Sequence, residues 1–208
     1  MKLLVVGASG RTGRLLVAQA LGHGHDVTAF ARDAGSDMTP QERLCVMVGD
    51  ASDPAALATA IEGQDAVISV LAARSGEPAA IYADGTANVV RLMTARGIDR
   101  LVVASAAGVG GHRRELPLPY QALLLLPRLR RDYEAMEAME GDVMLSDLDW
   151  TIVRAAALSN HAQTGHYRVV EGPVVPKGQR ISRADLAALL LKVAEMGLYR
   201  RRVVAVAY

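Results

Sequence analysis

The 208-residue chain reads as an α/β fold: a doubly wound parallel sheet with helices on both faces and a small C-terminal extension. Three observations predict it. Short apolar, β-rich runs alternate with stretches of helical periodicity through the first half of the chain. The first such run leads into a turn carrying Gly7, Gly10 and Gly13, and that turn opens a helix. The composition, 51% hydrophobic and 22% charged, is that of a globular chain able to bury a sizeable core.

Each element follows from its own stretch. Residues 2–6 (KLLVV) form a buried strand. Residues 11–21 carry Leu15, Leu16, Ala18, Ala20 and Leu21 at helical spacing, and Gly22 closes the helix. Residues 22–25 are a turn, and 26–31 and 44–48 are the second and third strands. Residues 54–61 open a helix behind Ser52 and Asp53. Residues 66–71 are a fourth strand. A long helix covers 79–96 and stops at Gly97, and 101–104 are the fifth strand.

The pattern changes after Ser105. Residues 108–112 are a loop, and Pro117, Pro119 and Pro127 keep the next stretch irregular. Residues 122–126 are an apolar run read as a partly buried helix or lid. Residues 128–145 look helical and 150–153 look like a strand. Ser182 and Asp185 form a capping box that opens a helix to Met196, and 203–207 are a last strand.

Charge and cysteine content exclude several function classes. Lys and Arg number 23 against 22 Asp and Glu, so the net charge of +1 argues against a dedicated binder of nucleic acid or anionic membrane. No apolar run approaches the roughly 20 residues needed to span a bilayer. Cys45 is the only cysteine, which rules out an internal disulfide and a multi-cysteine zinc site. Its apolar neighbours predict a buried, inert thiol, and a cytoplasmic location follows from this cysteine usage. His23 and His25 sit in a glycine-rich turn with no third ligand in view, so no metal site is expected. Arg128, Arg130, Arg131 and residues 200–202 read as solvated faces.

The glycine turn follows a strand and precedes a helix, the context of a phosphate-binding turn. Gly7 permits the tight turn, Gly10 leaves room for a pyrophosphate, and Gly13 lets helix and strand pack closely. The fold is therefore Rossmann-like. One NAD(P)-binding domain is expected over 1–208, with 1–105 as the cofactor core and 106–208 as mostly substrate-side segments completing the sheet. After the second strand comes Arg32, then Asp33. An arginine there accepts the 2′-phosphate of NADP, so NADP(H) is favoured over NAD(H). The other reading leaves Arg32 solvated and gives the ribose to Asp33. Asp50 and Ala51 meet the adenine, or Asp50 is simply a turn acid. Leu71, Ala72, Ala73 and Arg74 would lie over the adenosine ribose and pyrophosphate.

The spacing in Gly7-Ala8-Ser9-Gly10-Arg11-Thr12-Gly13 resembles the extended and atypical short-chain dehydrogenase/reductases, which would place Ser9, Arg11 and Thr12 on phosphate oxygens. Further stretches narrow this to the NAD(P)H-binding, NmrA-like family that includes biliverdin-IXβ/flavin reductases. They are Arg32-Asp33, Val48-Gly49-Asp50, Gly63-Gln64-Asp65-Ala66-Val67-Ile68, Leu148-Asp149-Trp150-Thr151-Ile152-Val153-Arg154, Thr164-Gly165-x-Tyr167 and Ile181-Ser182-Arg183-Ala184-Asp185-Leu186. The resemblance implies a cytoplasmic reductase, monomer or homodimer, acting on a small-molecule electron acceptor. It differs from the family at Ala155-Ala156, where Pro-Pro is common, at Ala157, where a histidine is found, and at Ser105-Ala106, where a Ser-Ser or Thr-Ser pair is common.

The Tyr-x-x-x-Lys pair of carbonyl reduction is absent. The residues four after Tyr82, Tyr120, Tyr133, Tyr167 and Tyr199 are Thr86, Leu124, Glu137, Glu171 and Val203. Two readings remain. In one, hydride goes to a conjugated acceptor (flavin, tetrapyrrole or quinone-like) that needs no protein acid. There Ser105 orients the reactants, Ala104 borders the cofactor, and Ala106, Tyr120, Ala157, Leu158 and Tyr167 line the substrate pocket. In the other, the protein binds NADP without turnover, as a redox sensor or scaffold.

Overall fold

A computed structural model describes residues 1–33, 38–73 and 76–208. Strands β1 (Lys2–Val6), β2 (Asp26–Ala31), β3 (Leu44–Val48), β4 (Ala66–Ser69), β5 (Arg100–Ala106) and β6 (Asp149–Ala155) are joined in parallel. After two short strands, β7 (Ala157–Ser159) and β8 (Arg168–Glu171), come β9 (Arg180–Ser182) and β10 (Arg202–Ala207). The main sheet runs β3-β2-β1-β4-β5-β6-β10-β8, with β8 the one antiparallel member. β7 and β9 pair separately. Strand order reverses between β1 and β4, which opens a crevice at the strand C-termini. This is the Rossmann-like doubly wound sheet that the alternating pattern predicts.

Helices cover both faces. α1 (Arg11–Gly22) packs on α6 (Arg183–Met196) on one side. α2 (Pro54–Ile61), α3 (Ile81–Arg96) and α5 (Pro127–Leu145) lie on the other. The central strands are apolar on both faces because both are covered, and Leu3, Leu4, Val5 and Val6 have no exposed surface.

Several expectations need correction. The fourth strand stops at Ser69, not residue 71: Val70 N still donates to Val6 O (2.9 Å), after which the chain leaves the sheet. The proline-rich stretch is not irregular. It carries a 3₁₀ turn at His112–Glu115 and the short helix α4 (Leu118–Leu123), because Pro119 and Pro127 sit in the first turns of α4 and α5, where no N–H is needed. In the run 122–126 only Leu124 is buried, while Leu123, Leu125 and Leu126 are exposed. Cys45 is exposed, since Leu44 takes the inward position and the pleat turns its neighbour outward. No helix among the described residues is long and apolar enough to cross a membrane.

Candidate functional site

Two hollows lie side by side above the strand C-termini. The first is a cleft of about 450 Å³ over β1, β2 and β4. Gly7, Ser9, Gly10 and Arg11 line it from the glycine turn, Arg32 and Ala51 from the ends of β2 and β3, and Leu71, Ala72 and Ala73 from the segment after β4. All nine are residues the sequence singles out. Thr12, Gly13, Asp50 and Ala104 do not line it, and Arg74 lies outside the described residues. The sequence missed Phe30, Ala31, Gly49, Val70, Ile81 and Arg128.

The three glycines divide the work. Gly7 has φ +87°, and a Cβ there would stand 2.8 Å from Val70 O. A Cβ on Gly13 would stand 2.4 Å from Gly7 O, so Gly13 serves the helix–strand contact. On Gly10 a Cβ meets only Gly7 O, at 3.3 Å, and otherwise projects into the open. Gly10 is also the N-cap of α1, and no side chain caps that helix. Its first N–H groups are therefore free for an anion, reinforced by the helix dipole. Arg11 and Arg128 add positive charge to the walls. This fits a dinucleotide's pyrophosphate.

Arg32 lies in the cleft wall with Nη2 2.8 Å from Glu77 Oε2. Asp50 is not among the residues lining the cleft. It accepts from Ser52 N (2.8 Å) and Ser52 Oγ (2.7 Å), and these bonds hold its carboxyl below the usual range. These bonds make Asp50 an acid of the turn between β3 and α2, and they engage Oδ1 alone.

The second hollow, about 550 Å³, has mostly apolar walls. Its floor is Ser105 and Ala106 from β5, Ala155 at the end of β6, Ala156 after it and Ala157 at the start of β7, with Leu158 beside them. Tyr82, Tyr120, Tyr133 and Met136 close it from the helices, and Asp132, Lys177 and Arg183 bring charge. Cleft and cavity meet where Tyr82 is hydrogen-bonded to the backbone of Ala73 and where Arg128 adjoins Leu129. Tyr167 is not part of the cavity; it packs against the α1–α6 side. Ala104 likewise faces that core, because alternate β5 residues point to opposite faces.

Ser105 Oγ donates to Glu140 Oε1 at 2.6 Å, and Arg154 grips the same buried carboxylate through Nε (3.0 Å) and Nη2 (2.5 Å). The serine's one proton is thus committed inside the protein, and its lone pairs are what it offers the cavity. Burial pushes the Tyr82 and Tyr133 phenols up, and Tyr133 Oη already donates to Ala107 O (2.9 Å). Burial also raises the Asp132 carboxyl, partly opposed by Arg128. Glu140 and Asp132 were invisible in the sequence, since acids on a helix ordinarily face solvent.

The chain is 31% identical over 181 residues to an uncharacterised protein of Mycobacterium tuberculosis, covering 86% of this chain but 17% of that protein. It is 31% identical over 174 residues to a 3-diazoavenalumate denitrifying reductase of a Streptomyces species, 76% of this chain and 56% of that one. It thus spans well under two thirds of both relatives. In fold it resembles an anaerobilin reductase from Escherichia coli, with a TM-score of 0.79, 21% identity and coverage of 100% and 97%. Residues 7–196, from the first glycine of the cleft to the end of α6, match the NAD(P)H-binding family, and the chain belongs to that family.

Proposed function

We propose that the protein is an NADPH-dependent reductase passing a hydride to a conjugated acceptor of flavin, tetrapyrrole or quinone type, with no proton donated by a protein side chain. One observation carries the reading: a cationic cleft at an uncapped helix start opens onto an apolar cavity without a Tyr-x-x-x-Lys pair. The backbone at the start of α1, with Ser9 and Arg11, would hold the pyrophosphate. Arg32 would take the 2′-phosphate, favouring NADP(H) over NAD(H). A bound reduced nicotinamide supplies the hydride. The cavity's part is to orient the acceptor and exclude water from the transfer. A conjugated acceptor spreads the incoming charge and draws its proton from water. The state of the cavity groups supports this: Ser105 and Tyr133 have committed hydroxyls, and burial makes Tyr82 and Tyr133 weaker acids.

The test is NADPH consumption across a panel of flavins, quinones and simple ketones. Ketones should be reduced poorly. Tyr82→Phe, Tyr120→Phe, Tyr133→Phe and Asp132→Asn should each lower turnover with a flavin or quinone by less than about tenfold, against the 10²–10⁴ typical of a general acid. A larger loss in any one of them would identify a protein acid and overturn the mechanism.

The wall of Ala155, Ala156 and Ala157 and the committed Ser105 hydroxyl favour a second reading, an NADPH-binding regulator without turnover. Tight NADPH binding with no oxidation by any acceptor would select it.

A further inference from the structure

At the opposite end of the sheet from the cleft, α1 and α6 end side by side. His23 caps α1, His25 follows in the turn before β2, and Glu195 is in the last turn of α6. His23 Nδ1 lies 2.9 Å and His25 Nε2 2.5 Å from the same oxygen, Glu195 Oε1. All three ligand atoms fall within 4.8 Å of one another. Zinc bonds of 2.0–2.2 Å to nitrogen and oxygen place tetrahedral ligands roughly 3.3 Å apart, within the span this cluster already has.

One further observation points to a cation. Glu195 puts a carboxylate in the last turn of α6, at the negative end of the helix dipole. Arg100 Nη2 donates to Val193 O (2.7 Å) and Leu198 O (2.9 Å) and Arg200 Nε to Gly197 O (3.4 Å), so guanidinium groups meet the terminal carbonyls, and a cation on the Glu195 carboxylate would be favoured there as well. The surroundings also fix the ligands. Arg43 Nη1 holds Gly24 O at 2.9 Å, setting the turn between the histidines. The Met1 amino nitrogen lies 3.2 Å from His25 Nδ1, leaving Nε2 as the atom turned toward the carboxylate. His23 is more than half exposed, so solvent has access for a fourth ligand.

We propose that His23, His25 and Glu195 form a structural binding site for a borderline-soft divalent cation, Zn²⁺ or a close relative such as Co²⁺. Two imidazoles and one carboxylate suit this class and not Ca²⁺ or Mg²⁺, which demand oxygen donors. The ion would pin the end of α1 to the end of α6 without entering the chemistry at the cleft.

The experiment uses untagged, metal-free protein carrying Cys45→Ser, which removes the exposed thiol as a competing ligand. Calorimetric titration with ZnSO₄ should show one ion per chain and a rise in melting temperature. Co²⁺ should develop the visible absorption of a site with nitrogen ligands. His23→Ala, His25→Ala and Glu195→Gln should each weaken Zn²⁺ binding by at least about tenfold, or 1.4 kcal/mol. His23→Ala alters an exposed side chain, so its fold, checked by circular dichroism, should be unchanged. No Zn²⁺ binding by the metal-free protein, or binding that all three variants retain, would overturn the proposal and leave acid–imidazole hydrogen bonding alone.

Discussion

Arg32 stands at the end of β2 with its guanidinium 2.8 Å from Glu77 Oε2, each side chain about 30% exposed. A partly exposed pair of this kind is worth at most about 1 kcal/mol. A 2′-phosphate offers the same guanidinium a forked, charge-assisted contact. Arg32→Ala should therefore erase most of the difference between NADPH and NADH binding in calorimetry. Glu77→Gln removes the competitor, so NADPH should bind about two- to fivefold tighter while NADH is unchanged. Equal affinity of the unmodified protein for the two cofactors would sink the assignment of Arg32. The same residue shows how a side chain with a plausible role in the sequence acquires a competitor from 45 residues away in the fold.

At the scale of elements, Asp185 ties the start of α6 to the loop before β8. The Ser182–Asp185 cap forms as expected, with Ser182 Oγ accepting from Asp185 N at 3.0 Å. The acid does not return to the cap's own N–H, however; that group donates to Tyr208 Oη. The buried carboxylate instead accepts from Tyr208 Oη (2.6 Å), Ser182 Oγ (2.9 Å), Gly165 N (2.8 Å), and Thr164 N and Oγ1 (both 3.0 Å). Burial alone would raise its pKa, but these donors, Tyr208 first, hold it at about 2 against an ordinary 3.8. A depressed carboxylate contributes stability that is fully present above about pH 4 and is lost as pH falls through about 2. The shift corresponds to about 2 kcal/mol. Asp185→Asn should lower the urea unfolding free energy by about that much at pH 7, and the gap should narrow on acidification toward pH 2. A gap independent of pH would show that the carboxylate's charge is not what holds the loop.

For the whole molecule, cofactor binding and stability are linked. A ligand at 100 times its dissociation constant adds about 2.7 kcal/mol to a fold that binds it only when native. For a chain of this size, that is a rise of roughly 5–11 °C in melting temperature with saturating NADPH. Gly10→Val should abolish that rise while its own circular dichroism stays native, because the added side chain points into the cleft more than into the protein. A variant that still gains the full shift would place the cofactor away from the turn.

The order of strands and helices in the first half, the family and nine of the residues that line the cleft were legible because they depend on local chemistry. Alternating apolar periods set each element, and glycines mark where backbone must approach backbone or ligand, as Gly7 and Gly13 show. Chain ends of elements were less legible, since β4 and β5 stop where neighbouring strands cease to pair. The short strands β7, β8 and β9 carry too few residues for a period to register. What pairs across sequence distance was decided by the fold. Glu140 and Arg154 become a buried pair beneath Ser105, Asp132 enters a cavity wall, Tyr167 leaves it for the opposite face, and Glu195 meets two histidines some 170 positions earlier. A side chain's type and period are properties of its own stretch. Its partner is fixed only when helix packing and strand register bring a second stretch to within a hydrogen bond's length.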